Sequence, residues 1–97
     1  MPKGYVIFTE AMHDEAGMSE YAGKAMVSMM SSGGGVTVLD DNVEVLEGQW
    51  HGNRTVILEF ESEEKMKAWY NSPGYQAAAK IRWKATKSNV VMVHGLG

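Results

Sequence analysis

Three stretches of this 97-residue chain are rich in β-branched and aromatic residues and apolar on both sides. In residues 5–12, one set of alternate positions holds Tyr5, Ile7 and Ala11, and the other holds Val6, Phe8 and Met12. Residues 54–60 set Val56, Leu58 and Phe60 opposite Ile57, and residues 90–94 are apolar on both faces as well. Successive strand side chains point to opposite faces, so a sheet built from these segments needs cover on both sides. The rest of the chain must supply that cover, or a second molecule must.

The helical segments supply too little. Asp14 is placed to cap a helix in which Met18, Tyr21, Ala22, Ala25, Met26 and Met29 recur at helical spacing, and Gly33-Gly34-Gly35 ends it. The methionine-rich stripe reads as core, with a plastic binding surface as the sharper alternative. Ser62 with Glu63 and Glu64 opens a second helix whose apolar side carries Met66 and Trp69. That helix breaks ahead of Pro73, because the residue before a proline is pushed out of the helical region. Ser72-Pro73 then starts a further helical piece, the serine as cap and the proline at the first position, where no donor is needed. At about 100° per residue, Pro73, Ala77, Lys80, Lys84 and Lys87 share one face of it, and Tyr75, Ala78, Ala79, Arg82 and Thr86 share the opposite one. Arg82 therefore points inward.

Between the helices, residues 36–39 and 43–48 read as one interrupted strand or two short ones about the turn-forming Asp40-Asp41-Asn42, paired as a hairpin with residues 54–60. The order is strand, helix, strand, strand, helix in two pieces, strand. Two helical layers' worth of chain can cover one face of a four-stranded sheet and no more. A second copy of the sheet is the simplest cover for the other face, and a homodimer joined through its sheet faces follows. Pairing also answers the limited burial available to so small a domain.

Composition narrows the chemistry. No cysteine is present, which removes disulfides, thiolate catalysis and Cys-ligated zinc and suits a reducing cytoplasm. No run of eighteen apolar residues spans a membrane and no signal-like segment opens the chain, so a cytoplasmic location is expected. Residues 1–64 hold all twelve acidic side chains, and residues 65–97 hold six of the nine basic ones. With a pI near 5.5 and no arginine stripe, this asymmetry reads as a solvated lysine face and argues against nucleic-acid binding. His13, His51 and His94 share no ligand spacing, so neither a metal nor a cofactor is expected; a site would need two of them to converge with Glu47 or Glu10.

Arg82 defines the candidate site. A guanidinium on an inward face needs a carboxylate, carbonyls or a bound anion. Strand alternation offers Glu47 and Glu59 as partners, which makes a structural ion pair one reading. The other reading is a ligand pocket in which Arg82, with Glu47 and Glu59, holds an anion between walls of Trp50, Trp69 and Tyr75, residues that also build ordinary cores. His51 and Glu47 are the weak candidates for a general base.

Glu47-Gly48-x-Trp50, the strand Val56-Ile57-Leu58-Glu59-Phe60, Ala68-Trp69-Tyr70-x-Ser72-Pro73-x-Tyr75 and Arg82 occur in one register. In these motifs nearly the whole chain resembles the uncharacterised domain-of-unknown-function family 1330. That family looks like the dimeric α+β barrel superfamily. The resemblance implies a single α+β domain over residues 1–97, a ferredoxin-like βαββαβ protomer with a four-stranded antiparallel sheet. It also implies a small ligand held between helices and sheet. The superfamily includes cofactor-free oxygenases, haem-degrading enzymes and lactone isomerases, and fold alone does not choose among them. The expected function is small-molecule binding by a homodimer; the alternative is a cofactor-independent oxygenase or isomerase acting on a small aromatic or lactone-type acid.

Overall fold

The computed structural model describes residues 2–96. Its elements are β1 (Gly4–Met12), α1 (Glu15–Ser31), β2 (Gly34–Asp40), β3 (Arg54–Phe60), α2 (Glu63–Tyr70), α3 (Pro73–Ala85) and β4 (Thr86–His94). The strands form one antiparallel sheet in the order β2-β3-β1-β4. All three helices lie on one face, and the Cα envelope of 34 × 32 × 15 Å has the thickness of two layers.

Local signals set most boundaries. The Asp14 carboxylate accepts the Gly17 N–H at 3.0 Å, and Gly33 turns the chain out of α1 at φ +76°. The Ser62 hydroxyl accepts from Lys65 N, and the Ser72 hydroxyl accepts from Tyr75 N at 3.2 Å while donating to Trp69 O at 2.7 Å. Ser72 thus ties the end of α2 to the start of α3. In α3 the buried residues are Tyr75, Ala78, Ala79, Arg82 and Ala85, the face that the helical wheel selects.

Two boundaries differ from expectation. Residues 43–48 form no strand and belong to the loop 41–53, because β3 is already paired on both sides, by β1 and β2. The second and third strands are antiparallel neighbours as foreseen, joined by this long loop in place of a tight turn. The last strand starts at Thr86, ahead of Asn89, because β1 offers partners as far as Met12, which pairs with Thr86. Lys87 is therefore a strand residue.

The core lies between the helices and one sheet face. Trp69 packs tilted against Tyr75 at a centroid distance of 4.0 Å and against Phe60 at 5.2 Å, with Val6, Phe8, Leu58 and Met66 around them. The Tyr21 and Tyr75 hydroxyls meet at 2.8 Å and join α1 to α3. On the opposite sheet face, Tyr5, Ile7, Val38 and Ile57 are half-buried and Val91 and Val93 are exposed, with no helix over them. The two-faced strands thus have one covered side and one bare apolar side.

Ser72→Ala should lower stability by about 1–2 kcal/mol, since the α3 cap and the link to Trp69 are lost together, while Ser72→Thr restores most of it. Urea-unfolding midpoints of the three proteins measure this.

Candidate functional site

The helix-facing side of β1 carries Val6, Phe8 and then Glu10, which is 2% exposed. Its cross-strand partners are Arg54 on β3 and Ser88 on β4. The backbone around it is pinned by the loop: Asn53 N–H donates to Glu10 O at 2.8 Å, and the Asn53 side chain accepts from Met12 N at 3.2 Å. Gly52 is required there. It sits at φ +79°, and a Cβ on it would lie 2.3 Å from Glu10 O. The Glu10 carboxylate, by contrast, accepts no hydrogen bond from any described residue. Burial raises its pKa above the ordinary 4.5, and the charges of Arg82 and Arg54 offset this in part.

Glu10 lines a cleft of about 100 Å³ between α1 and the β2–β3 half of the sheet. Met18, Ala22, Ala25, Met26 and Met29 of α1 form its roof, and Val36, Leu39, Val56 and Leu58 form its floor, with Trp69 at the inner end. A register shift between Val36 and Val38 lets both Val36 and Leu39 face inward. The cleft shares Met18, Ala22 and Arg54 with a more polar chamber of about 440 Å³, to which Glu15, Asp41 and Asn53 contribute. At that shared wall Arg54 donates from Nε and Nη2 to the two Asp41 carboxylate oxygens at 2.5 and 2.9 Å. This holds the Asp41 carboxyl below its ordinary pKa. All three methionines of the stripe border the cleft, Met18 and Met29 from buried core positions and Met26 half-exposed.

Arg82 is inward, 2% exposed, and does not line the cleft. Its Nη1 donates to Ser88 Oγ at 2.7 Å, and Thr86 Oγ1 donates to the Arg82 carbonyl at 2.9 Å. The guanidinium carbon lies 5.4 Å from the centroid of Phe8 and 6.0 Å from that of Tyr21. Its Nε has no partner. Neither foreseen glutamate reaches it. Glu47 is exposed in the loop, because its segment found no strand partner; Glu59 lies on the bare sheet face, where it meets Lys3 at 3.2 Å. The buried carboxylate that feels its charge is Glu10, which the period-two pattern of β1 sets among Val6, Phe8 and Met12.

The aromatic residues are not brought together as one pocket wall. Trp69 is buried with its indole N–H on Ser28 Oγ at 3.1 Å, and touches both core and cleft. Tyr75 is sealed in the core behind it. Trp50 lies on the other side of the sheet, donating to Thr55 Oγ1 at 2.9 Å, and His51 Nε2 donates to Lys87 O at 2.9 Å. Neither Trp50 nor His51 borders the cleft. No group of three or more His, Cys, Asp or Glu among the described residues is placed to hold a metal. No helix among them is long and apolar enough to cross a membrane.

This arrangement defines a ferredoxin-like α+β protein with a small cleft under its first helix. The chain belongs to the family described as Domain of unknown function (DUF1330), which it matches over residues 3–96. Among solved structures it is similar to a protein of unknown function from Rhodopseudomonas palustris, at 16% identity and TM-score 0.80, with 99% of this chain and 84% of that one covered. It is also similar to SnoaB, a cofactor-independent oxygenase from Streptomyces nogalater, at 10% identity and TM-score 0.70 over 100% and 96% of the two chains. A third is a dimeric ferredoxin-like protein of unknown function from Jannaschia sp. CCS1, at 15% identity and TM-score 0.66 over 94% and 97%. At such identities the likeness is one of fold. No curated protein matches the chain.

Glu10→Gln tests the electrostatics. A carboxyl whose folded pKa is raised costs stability as pH climbs from the unfolded pKa to the folded one. The variant should therefore match the wild type near pH 4 and surpass it at pH 7, as read from urea midpoints. A variant less stable at pH 7 would mean that the arginines more than compensate the buried charge.

Proposed function

We propose that the protein is a homodimeric small-molecule-binding protein whose ligand enters the cleft between α1 and the β2–β3 half of the sheet. One observation carries this reading: the carboxylate of Glu10, a residue 2% exposed, accepts no hydrogen bond from any described residue and keeps its small remaining access at the wall of a mostly apolar cleft. Buried polar groups are ordinarily satisfied, and one left free beside a cleft is matched by a ligand's donor. At about 100 Å³ the cleft is smaller than the roughly 150 Å³ cavity that takes benzene, so a single ring enters it only as the flexible, half-exposed Met26 gives way. The assembly reading draws on the bare apolar face of Tyr5, Ile7, Ile57 and Val91, and on neighbours of this fold that are described as dimeric.

A catalytic version uses the same cleft. In it the protein is a cofactor-independent oxygenase or isomerase of a small aromatic or lactone-type acid, and Glu10, its pKa lifted by burial, is the proton-transfer group in place of His51 or Glu47. SnoaB's description as a cofactor-independent oxygenase favours it by analogy of fold.

Calorimetry with phenol should give binding to the wild type and at least tenfold weaker binding to Ala25→Leu, which fills the cleft from α1. Equal affinity for both proteins would move the site elsewhere. Light scattering at micromolar concentration should give a dimer mass, and Ile7→Lys should give a monomer; a wild-type monomer would remove the assembly reading while leaving the cleft untouched.

A further inference from the structure

The wall that the cleft shares with the polar chamber indicates what class of molecule it takes, an inference that rests on the cleft being the binding site. Arg54 is anchored in β3, opposite Glu10, and forms part of the wall common to the apolar cleft and the polar chamber. Its guanidinium offers two parallel N–H bonds, and these hold the Asp41 carboxylate. The two partners are unequally held. Arg54 is three-quarters buried on a central strand, whereas the Asp41 side chain is 52% exposed at the start of the loop 41–53 and makes no other hydrogen bond among the described residues. The fork would present the same two donors to any carboxylate, and the exposed partner is the one that can leave.

We propose that the ligand is a compact carboxylic acid whose otherwise apolar body carries one hydrogen-bond donor for Glu10. Its ring or similarly sized body fills the cleft, and its carboxylate takes Arg54 in place of Asp41, which acts as the resident counter-ion when no ligand is bound. Charge conservation supports the exchange. Arg54 and Arg82 are the two cations near Glu10, and Glu10 with Asp41 balances them. A ligand carboxylate arriving as Asp41 swings into solvent leaves the same balance. A neutral ligand would leave Asp41 in place and gain nothing from the fork, and a ligand cation would meet Arg54 at the shared wall. Exchange also avoids leaving a partly buried guanidinium without an anion, a state that costs more than either pair.

The test compares benzoate with its neutral isostere benzamide by titration calorimetry at fixed ionic strength, on the wild type, Asp41→Asn and Arg54→Gln. Benzoate should bind the wild type about tenfold more tightly than benzamide, as a charge-assisted bond pair outweighs a neutral one. Asp41→Asn removes the internal competitor and should widen that ratio several-fold, while Arg54→Gln should bring it to about one. The proposal is overturned if benzoate binds no better than benzamide, or if Asp41→Asn narrows the ratio. Should Arg54→Gln fail to fold, the exposed Asp41→Asn substitution decides alone. Binding of benzamide without benzoate would retain the cleft and reject the acid; binding of neither, nor of phenol, would reject the cleft itself.

Discussion

The position of α1 depends on how the aromatic cluster is wedged. Trp69 and Tyr75, from two helices joined by the Ser72 cap, fill the space over Phe60 and Val6, and the Tyr21–Tyr75 hydroxyl pair fastens α1 to α3. α1 is thereby drawn toward α3 and the centre of the sheet. Over β2 and β3 it leaves a gap that the flexible side chains of Met26 and Met29 only partly close. The cleft follows from how the core is packed. It is the space left between α1 and the outer strand β2, whose pairing with β3 shifts register between Val36 and Val38.

Into that frame the chain sets two buried ionisable groups that face one another's layer without forming an ion pair. Arg82 gives Nη1 to Ser88, leaves Nε unpaired and lies near the faces of Phe8 and Tyr21, and Glu10 keeps a free carboxyl. A direct pair would have been the cheaper way to bury both charges. Keeping them apart leaves Glu10 available to the cleft while Arg82 and Arg54 temper its charge. The loop 41–53 serves the same end: Gly52 and Asn53 hold the backbone of Glu10, and Asp41 occupies the arginine at the shared wall.

Much of the fold could be read from residue periodicity, because it depends on near neighbours. The Ser72-Pro73 start and the 3.6-residue spacing identify the buried face of α3, down to Arg82, and the β-branched run at 54–60 marks β3 to the residue. Alternation in residues 43–48 misleads, since a strand needs a free neighbour and β3 had none; Glu47 was lost as a site residue with it. Alternation was right for Glu59 but the choice of face was not, because Ile57 and Glu59 share the bare side. Glu10 was legible in the same pattern, as the one carboxylate in register with Val6, Phe8 and Met12. Its significance depends on the tilt of α1 and on which groups fail to reach it. Those are tertiary quantities that no local spacing encodes, and the same holds for Arg54 and Asp41, which meet only because the long loop folds back.

The most direct measurement is a crystal structure of the protein soaked with a small aromatic acid. The account predicts the ligand between α1 and the β2–β3 half of the sheet, its carboxylate on Arg54, its body beside Glu10, and Asp41 turned to solvent. A ligand-free cleft closed by Met26, with Glu10 directly paired to Arg82, would contradict it.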